Sequence, residues 1–207
     1  LLFNESTSIF LLPLMILFGA IGGAFWATIP ALLKTKFNTN EILTSLMLTY
    51  VALFILDYFV VGPWKDPAGY GLPKSMPFPD AGRLPVLFDG LRIHIGVYFA
   101  IMICLISYIV YNKTLFGFKL RVSGFSSKAS QYAGFKYKNL IFYTFIISGA
   151  CAGLAGLFEV SGPIGLLYRD ISPNYGFTAI IVAFLGRLNP IGIILSSLLI
   201  ALTYLGA

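Results

Sequence analysis

Charged residues are scarce in this chain of 207 residues: they make up 11% of it, whereas 58% of the residues are hydrophobic. A soluble domain carries about a quarter charged residues. The apolar residues also come in runs long enough to cross a bilayer. This composition excludes a soluble enzyme, a disordered tail and a secreted disulfide scaffold. It predicts an all-α, polytopic transmembrane helical bundle.

Residues and motifs typical of catalytic, metal-binding or ATP-binding sites are equally scarce. The two cysteines, Cys104 and Cys151, stand singly in apolar stretches and form no CxxC pair. His94 is the only histidine, so there is no HExxH motif and no Ser-His-Asp set deep in the membrane. The sequence contains no GxxxxGK[ST] motif and therefore no P-loop. We predict no catalytic residue, metal site or cofactor, and we expect any energy for transport to come from a partner.

The apolar residues form four long blocks and one interrupted region. The blocks run over about 9–33, 42–61, 93–111 and 140–160, and the interrupted region over 175–207. GxxxG pairs, Gly19 with Gly23 and Gly149 with Gly153, predict close helix packing, either within one subunit or at a seam between subunits. The chain starts without Met and stops in an apolar run, so we expect a fragment of a longer subunit.

Charge predicts which loops face the cytoplasm. The segment 112–138 carries six of the fourteen basic residues and no acid. Cytoplasmic loops of membrane proteins carry such an excess of Lys and Arg. Alternation then places 34–41 inside, and the Pro-rich segment 62–92 and the segment 161–174 outside. We therefore attribute the net charge of +6 mostly to topology and to docking of a partner. We expect membrane lipid around the spans and predict no binding of nucleic acid.

The last region predicts a broken helix. Residues 172–174 offer N-cap chemistry, and 175–185 would form a helix about 16 Å long, roughly half a bilayer. Gly186 and Pro190 then break it, and a second helix begins at Ile191. Broken helices with capped N-termini are a recurring way to build a transport path. The alternative is a simple kinked span.

The basic segment predicts one short helix over 124–134, with Ser126 as N-cap and Gly134 as its end. Helical spacing brings three residues near one face: Phe125, Ala129 and Tyr132. So short a helix cannot bury that face alone. It either inserts into a groove on another protein or rests on lipid headgroups.

Three segments of the chain carry a family resemblance: TLFGFKLRVSG with the following SKASQYAG, IPALLK with NEILTSLMLTY, and YGFTAIIVAFLGRLNPIG. They resemble bacterial ABC importer permeases of the ribose/simple-sugar and nucleoside type, and the nucleoside branch most of all. The branch usually has Asn where this chain has Thr49. The resemblance covers nearly the whole chain and implies one transmembrane permease domain over 1–207, with a coupling loop over 112–138.

The resemblance also implies partners and a function. The chain would be a permease subunit of an ATP-driven importer for nucleosides or a related small polar solute, in the bacterial inner membrane. It would pair with a second permease subunit, two ATPase subunits and an extracytoplasmic solute-binding protein. The coupling helix that docks on the ATPase comprises Phe125, Ser126, Ser127, Lys128, Ala129, Ser130, Gln131, Tyr132, Ala133 and Gly134.

Polar residues near the spans are candidates for the solute path: Ser45, Thr49, Glu159, Asn174 and Thr178. Three other functions stay open at this point. A permease for simple sugars would share all the motifs. A non-transporting membrane scaffold would share the GxxxG pairs and the basic loop but would not need a half-length helix. A secondary carrier would need a carboxylate deep in a span, and we find none.

Overall fold

The computed structural model describes residues 10–69, 72–79, 82–85, 94–169, 171–172 and 175–206, and these ranges are predominantly helical. The helices are α1 (Leu11–Phe37), α2 (Glu41–Val61), α3 (Gly96–Lys113), α4 (Leu115–Phe125), α5 (Ser127–Tyr132), α6 (Tyr137–Glu159), α7 (Tyr175–Leu185) and α8 (Pro190–Gly206). Four of them, α1, α2, α3 and α6, are long and apolar enough to cross a membrane. The predicted all-α transmembrane bundle is confirmed.

The chain divides into two compact units. The first unit comprises Leu1–Ile95 and Lys138–Ile171, and the second comprises Gly96–Tyr137 and Ser172–Ala207. The first unit therefore holds α1, α2 and nearly all of α6. The second unit holds α3, α4, α5, α7 and α8.

A tight, capped turn joins α1 to α2 in the first unit. Asn38 ends α1 in the left-handed conformation, and its N–H is bonded to the carbonyl oxygens of the last turn. The Asn40 side chain caps α2 by accepting the Ile42 N–H at 3.0 Å. Lys34 and Glu41 form an ion pair at 2.6 Å across this turn. The polar break predicted at 34–41 is thus the end of α1 and the beginning of α2. Backbone groups at both helix ends find hydrogen-bond partners within the turn.

Glycines let α1 and α6 touch along their backbones. A β-carbon at Gly23 would collide with the Gly149 carbonyl oxygen and would lie 2.8 Å from the Gly153 Cα atom. A β-carbon at Gly19 would lie 3.4 Å from the Leu157 side chain. The two predicted GxxxG motifs therefore face each other within one chain. Such contacts stabilise helix pairs in lipid, where small residues permit close packing.

The segments that follow α2 and α6 bind each other at one end of the first unit. The Ser75 N–H donates to the Leu167 carbonyl oxygen at 2.8 Å, and the Leu167 N–H returns a bond to Ser75 Oγ, also at 2.8 Å. The Leu84 N–H donates to the Ser161 carbonyl oxygen at 2.8 Å. Ser161 belongs to a π-helical turn over Val160–Ile164, which directly follows α6 and precedes Leu167. The segment predicted as a polar loop after 160 is therefore anchored to the Pro-rich segment.

In the second unit, α7 and α8 form an antiparallel hairpin. The predicted break is a reversal of the chain, made by Arg187 and Leu188 at φ 53° and 56°. The buried Ser196 hydroxyl of α8 donates to the Val182 carbonyl oxygen of α7 at 2.8 Å. This geometry excludes the simple kinked span. Helix α7 has the predicted bounds, and α8 begins at Pro190, one residue before the predicted start.

Candidate functional site

The basic segment folds into two helices where the sequence predicted one. The unpredicted helix α4 occupies Leu115–Phe125, and its N-cap is Thr114, which accepts the Gly117 N–H at 3.2 Å. Phe125 is thus the last residue of α4, so its predicted position within the short helix is wrong. The physical reason is the strong cap at Thr114, which starts a helix before the segment where we placed one.

The short helix α5 is capped as predicted. The Ser126 side chain accepts the Ala129 N–H at 3.3 Å, and α5 ends at Tyr132. Gly134 follows at φ +75°, a conformation that favours glycine, and its N–H donates to the Gln131 carbonyl oxygen at 2.9 Å. The predicted N-cap and stop are confirmed.

Two aromatic side chains project from this segment into solvent. Phe125 is 91% exposed and Tyr132 is 93% exposed. The other residues of the predicted docking helix are also exposed, except Ser130, which is fully buried. Ser130 therefore faces its own unit, whereas the residues around it present their side chains outward. The described residues of the second unit do not bury these two aromatic side chains, so the side chains form an exposed apolar surface beside the short helix.

Contacts inside the loop hold α5 in place. Ser123 of α4 and Ser130 of α5 share a hydrogen bond of 2.8 Å between their hydroxyl oxygens. The Lys119 ammonium lies 5.6 Å from the centre of the Phe135 ring, which adds a cation–π contact between α4 and the residues after α5. The Phe135 N–H donates to the Ser130 carbonyl oxygen at 3.0 Å. Helix α5 is therefore a positioned element rather than a tail.

A pocket of about 440 Å³ lies in the first unit between α1, α2 and α6. The structure brings two of the predicted path residues, Ser45 and Thr49, together on its wall. The remaining lining residues are Gly23, Trp26, Ala27, Pro30, Leu48, Phe145, Ser148, Gly149, Ala152 and Gly153. In the part of the chain that the structure describes, no charged side chain lines this pocket.

Two other path candidates, Glu159 and Thr178, do not line it. Glu159 is the last residue of α6 and is outside the lining. Thr178 belongs to the second unit, where its hydroxyl lies 3.2 Å from the Tyr204 hydroxyl. Asn174 lies outside the described residues. The pocket instead includes Trp26 and Phe145, which the sequence did not single out, although Trp26 follows a GxxxG glycine at the i+3 spacing that puts both on one helix face.

The chain has helices long and apolar enough to cross a membrane, and three of them enclose a pocket lined partly by hydroxyl groups. It also has a short exposed helix in a basic loop. These features are typical of a membrane permease. The chain belongs to the family described as branched-chain amino acid transport system, permease component, which matches residues 1–206. The predicted kinship with ABC permeases is confirmed.

Curated relatives support the sugar and nucleoside type. The chain is similar to a glucose ABC transporter permease of Haloferax volcanii, with 37% identity over 95% of this chain and 54% of the relative. A guanosine ABC transporter permease of Bacillus subtilis is 33% identical over 95% of the chain and 57% of the relative. A nucleoside ABC transporter permease of Lactococcus lactis is 29% identical over 99% and 58%. The chain spans about half the length of these relatives, and no solved structure matches it.

Proposed function

We propose that this chain belongs to the transmembrane permease subunit of an ATP-driven importer of nucleosides or a related small polar solute. The observation that carries the proposal is α5, a capped helix in an acid-free loop. Two almost fully exposed aromatic residues flank it: Phe125, the last residue of α4, and Tyr132, the last residue of α5. ATP hydrolysis takes place on a separate ATPase subunit that receives α5 in a groove. Closure of the ATPase pair then moves α5 and, through α4, the membrane helices.

The remaining partners follow from the same proposal. A second permease subunit, identical or related, completes the membrane path. A solute-binding protein delivers its cargo at the outer face, where the segments after α2 and α6 lie on the predicted topology. The setting is the bacterial inner membrane, with lipid around α1, α2, α3 and α6.

Charge at α5 supports docking on protein. The exposed Lys128 lies on the helix, and the exposed Lys136 follows it closely in the chain, so the surface is positive around an aromatic pair. A groove with an apolar floor and acidic rim is complementary to such a surface. If α5 instead rests on lipid headgroups, the ATPase subunit still co-purifies when the side chains of α5 are changed.

A double substitution, Tyr132→Asp with Ala129→Arg, tests the docking role in the complete transporter. We expect the ATPase subunit to stop co-purifying and uptake to fall at least tenfold, because a charge replaces the aromatic contact and a long side chain fills the small site. Lys113→Asp adds an acidic residue in the same loop, at the exposed C-terminal end of α3 and outside the surface around α5, and serves as the matched control. Normal ATPase association and uptake in the double variant would contradict the proposal.

A further inference from the structure

We infer that the pocket between α1, α2 and α6 holds the transported solute, and that it selects an uncharged, ring-bearing molecule rich in O–H or N–H donors. The inference rests on the proposed importer function and adds the chemistry of the solute and the residues that select it. Trp26 supplies the stacking face, and Thr49 supplies an acceptor for the solute's donors.

The depth of Trp26 argues for a role other than membrane anchoring. Tryptophans that anchor a helix sit at the membrane–water interface. Trp26 lies about 16 Å from the nearer end of α1, at 1.5 Å per residue. This depth is close to the middle of a hydrocarbon core about 30 Å thick. An indole at this depth that also lines a pocket, with Phe145 among its other walls, offers a flat surface to a ring.

A freed backbone acceptor lies in the same wall. Pro30 stands inside α1 and has no N–H. The Trp26 carbonyl oxygen, four residues earlier, therefore loses its ordinary helical donor. Trp26 and Pro30 both line the pocket, so the interruption in the hydrogen bonding of α1 lies in the pocket wall. A carbonyl group without a donor in the membrane is costly, and a solute hydroxyl or amine compensates that cost.

The hydroxyls of α2 also act as acceptors. The Ser45 hydroxyl donates to the Ile42 carbonyl oxygen at 3.0 Å, and the Thr49 hydroxyl donates to the Ser45 carbonyl oxygen at 2.9 Å. Each hydroxyl group has one hydrogen, which it donates to a backbone carbonyl oxygen. Toward a solute it therefore acts as a hydrogen-bond acceptor through its lone pairs. Ser45 and Thr49 thus present acceptors in the pocket wall.

The lining selects against charge. Among the described residues that line the pocket there is no Lys, Arg, His, Asp or Glu. A phosphorylated solute or a zwitterionic amino acid would bring a phosphate or carboxylate into the membrane without a cationic partner, which is strongly unfavourable. A sugar or nucleoside brings a ring and several donors. The shared chemistry of these two solutes is what the pocket fits.

Paired substitutions in the complete transporter test the selecting residues. We expect Trp26→Ala to raise the KM for uptake about tenfold, in the range found when a stacking aromatic is removed, while Trp26→Phe keeps it within about threefold. Thr49→Val, which is nearly isosteric, should lower uptake, and Thr49→Ser should retain it. ATPase association should stay normal in all four. Unchanged KM in both Trp26→Ala and Thr49→Val would overturn the inference.

A labelling experiment locates the solute directly. In a transporter with Cys104 and Cys151 replaced by Ala, Thr49→Cys is labelled with a maleimide in the presence of uridine, glucose or leucine. We expect uridine or glucose to slow the labelling about tenfold, and which of the two protects identifies the solute. Met47→Cys, 70% exposed and outside the lining, is the matched control and should react at one rate throughout.

The outcomes separate the two proposals. Protection by leucine alone, or labelling at one rate under all conditions in a protein that still takes up solute, overturns the pocket and leaves the importer proposal standing. A wild-type protein that neither binds an ATPase subunit nor takes up solute overturns the importer proposal itself.

Discussion

The hydroxyl oxygens of Ser123 and Ser130 lie 2.8 Å apart, and this hydrogen bond joins the last turn of α4 to α5. Ser130 is fully buried, so its hydroxyl has no access to water. The bond therefore sets the orientation of the exposed aromatic surface at α5. In a transporter that docks through α5, this pair links the docking surface to the membrane helices.

Removing one partner of this pair should cost more than removing both. Ser123→Ala leaves the buried Ser130 hydroxyl without its partner, which costs about 1–3 kcal/mol, whereas the Ser123→Ala, Ser130→Ala double variant removes both polar groups. We expect faster amide hydrogen exchange across Ser127–Tyr132 in the single variant than in the double variant. Equal exchange rates in both variants and the wild type would show that the bond does not hold α5.

Gly23 should be intolerant of any side chain. Gly23→Ala puts a methyl group against the backbone of α6, at Gly149 and Gly153, and should destabilise the protein by about 1–3 kcal/mol through overpacking. A β-carbon at the neighbouring Gly22 would meet no other described atom within 4 Å, so Gly22→Ala is the control. Thermal unfolding of the purified protein in detergent should show a lower Tm for Gly23→Ala only. A similar Tm for both variants would contradict the backbone contact between α1 and α6.

Ser196 should stabilise the α7–α8 hairpin. Its hydroxyl donates to the Val182 carbonyl oxygen of the facing helix, and interhelical hydrogen bonds in membranes contribute about 0.6 kcal/mol on average. Ser197→Ala is the matched control, because the Ser197 hydroxyl is exposed and donates within its own helix to Ile194 at 2.8 Å. We expect Ser196→Ala to lower the Tm measurably and Ser197→Ala to leave it unchanged. The reverse order would argue against the hairpin geometry.

Asp57 and Arg169 should be energetically coupled. Their 3.1 Å ion pair joins α2 to the segment after α6, and 24% of the Asp57 side chain is exposed against 62% of the Arg169 side chain. A partly exposed pair contributes up to about 1 kcal/mol. In a double-mutant cycle with Asp57→Asn and Arg169→Gln, the double variant should be more stable than the sum of the single changes predicts. The coupling free energy should decrease at high salt, because salt screens the two charges. If the two single changes add up to the effect of the double variant at low salt, the residues are not coupled.

Much of the secondary structure followed from local sequence. The apolar blocks located α1, α2, α3 and α6 because their lengths match the thickness of a bilayer. Tyr175–Leu185 ended where Gly186 and Pro190 predicted, and Ser126 capped α5 as its side chain favours. The sequence does not predict α4, because its N-cap, Thr114, lies inside a basic segment whose charge marks it as a polar loop.

The sequence by itself determined the membrane class, the helical spans and the family, because these depend on composition, on the lengths of apolar runs and on motifs of neighbouring residues. Only the tertiary structure brought Trp26, Thr49 and Phe145 to one pocket, turned Ser130 inward and folded α7 back against α8. These features depend on contacts between residues far apart in the chain. The backbone approach of two GxxxG glycines shows the reason: the sequence marks each glycine as a packing site, but only folding decides which helix it meets.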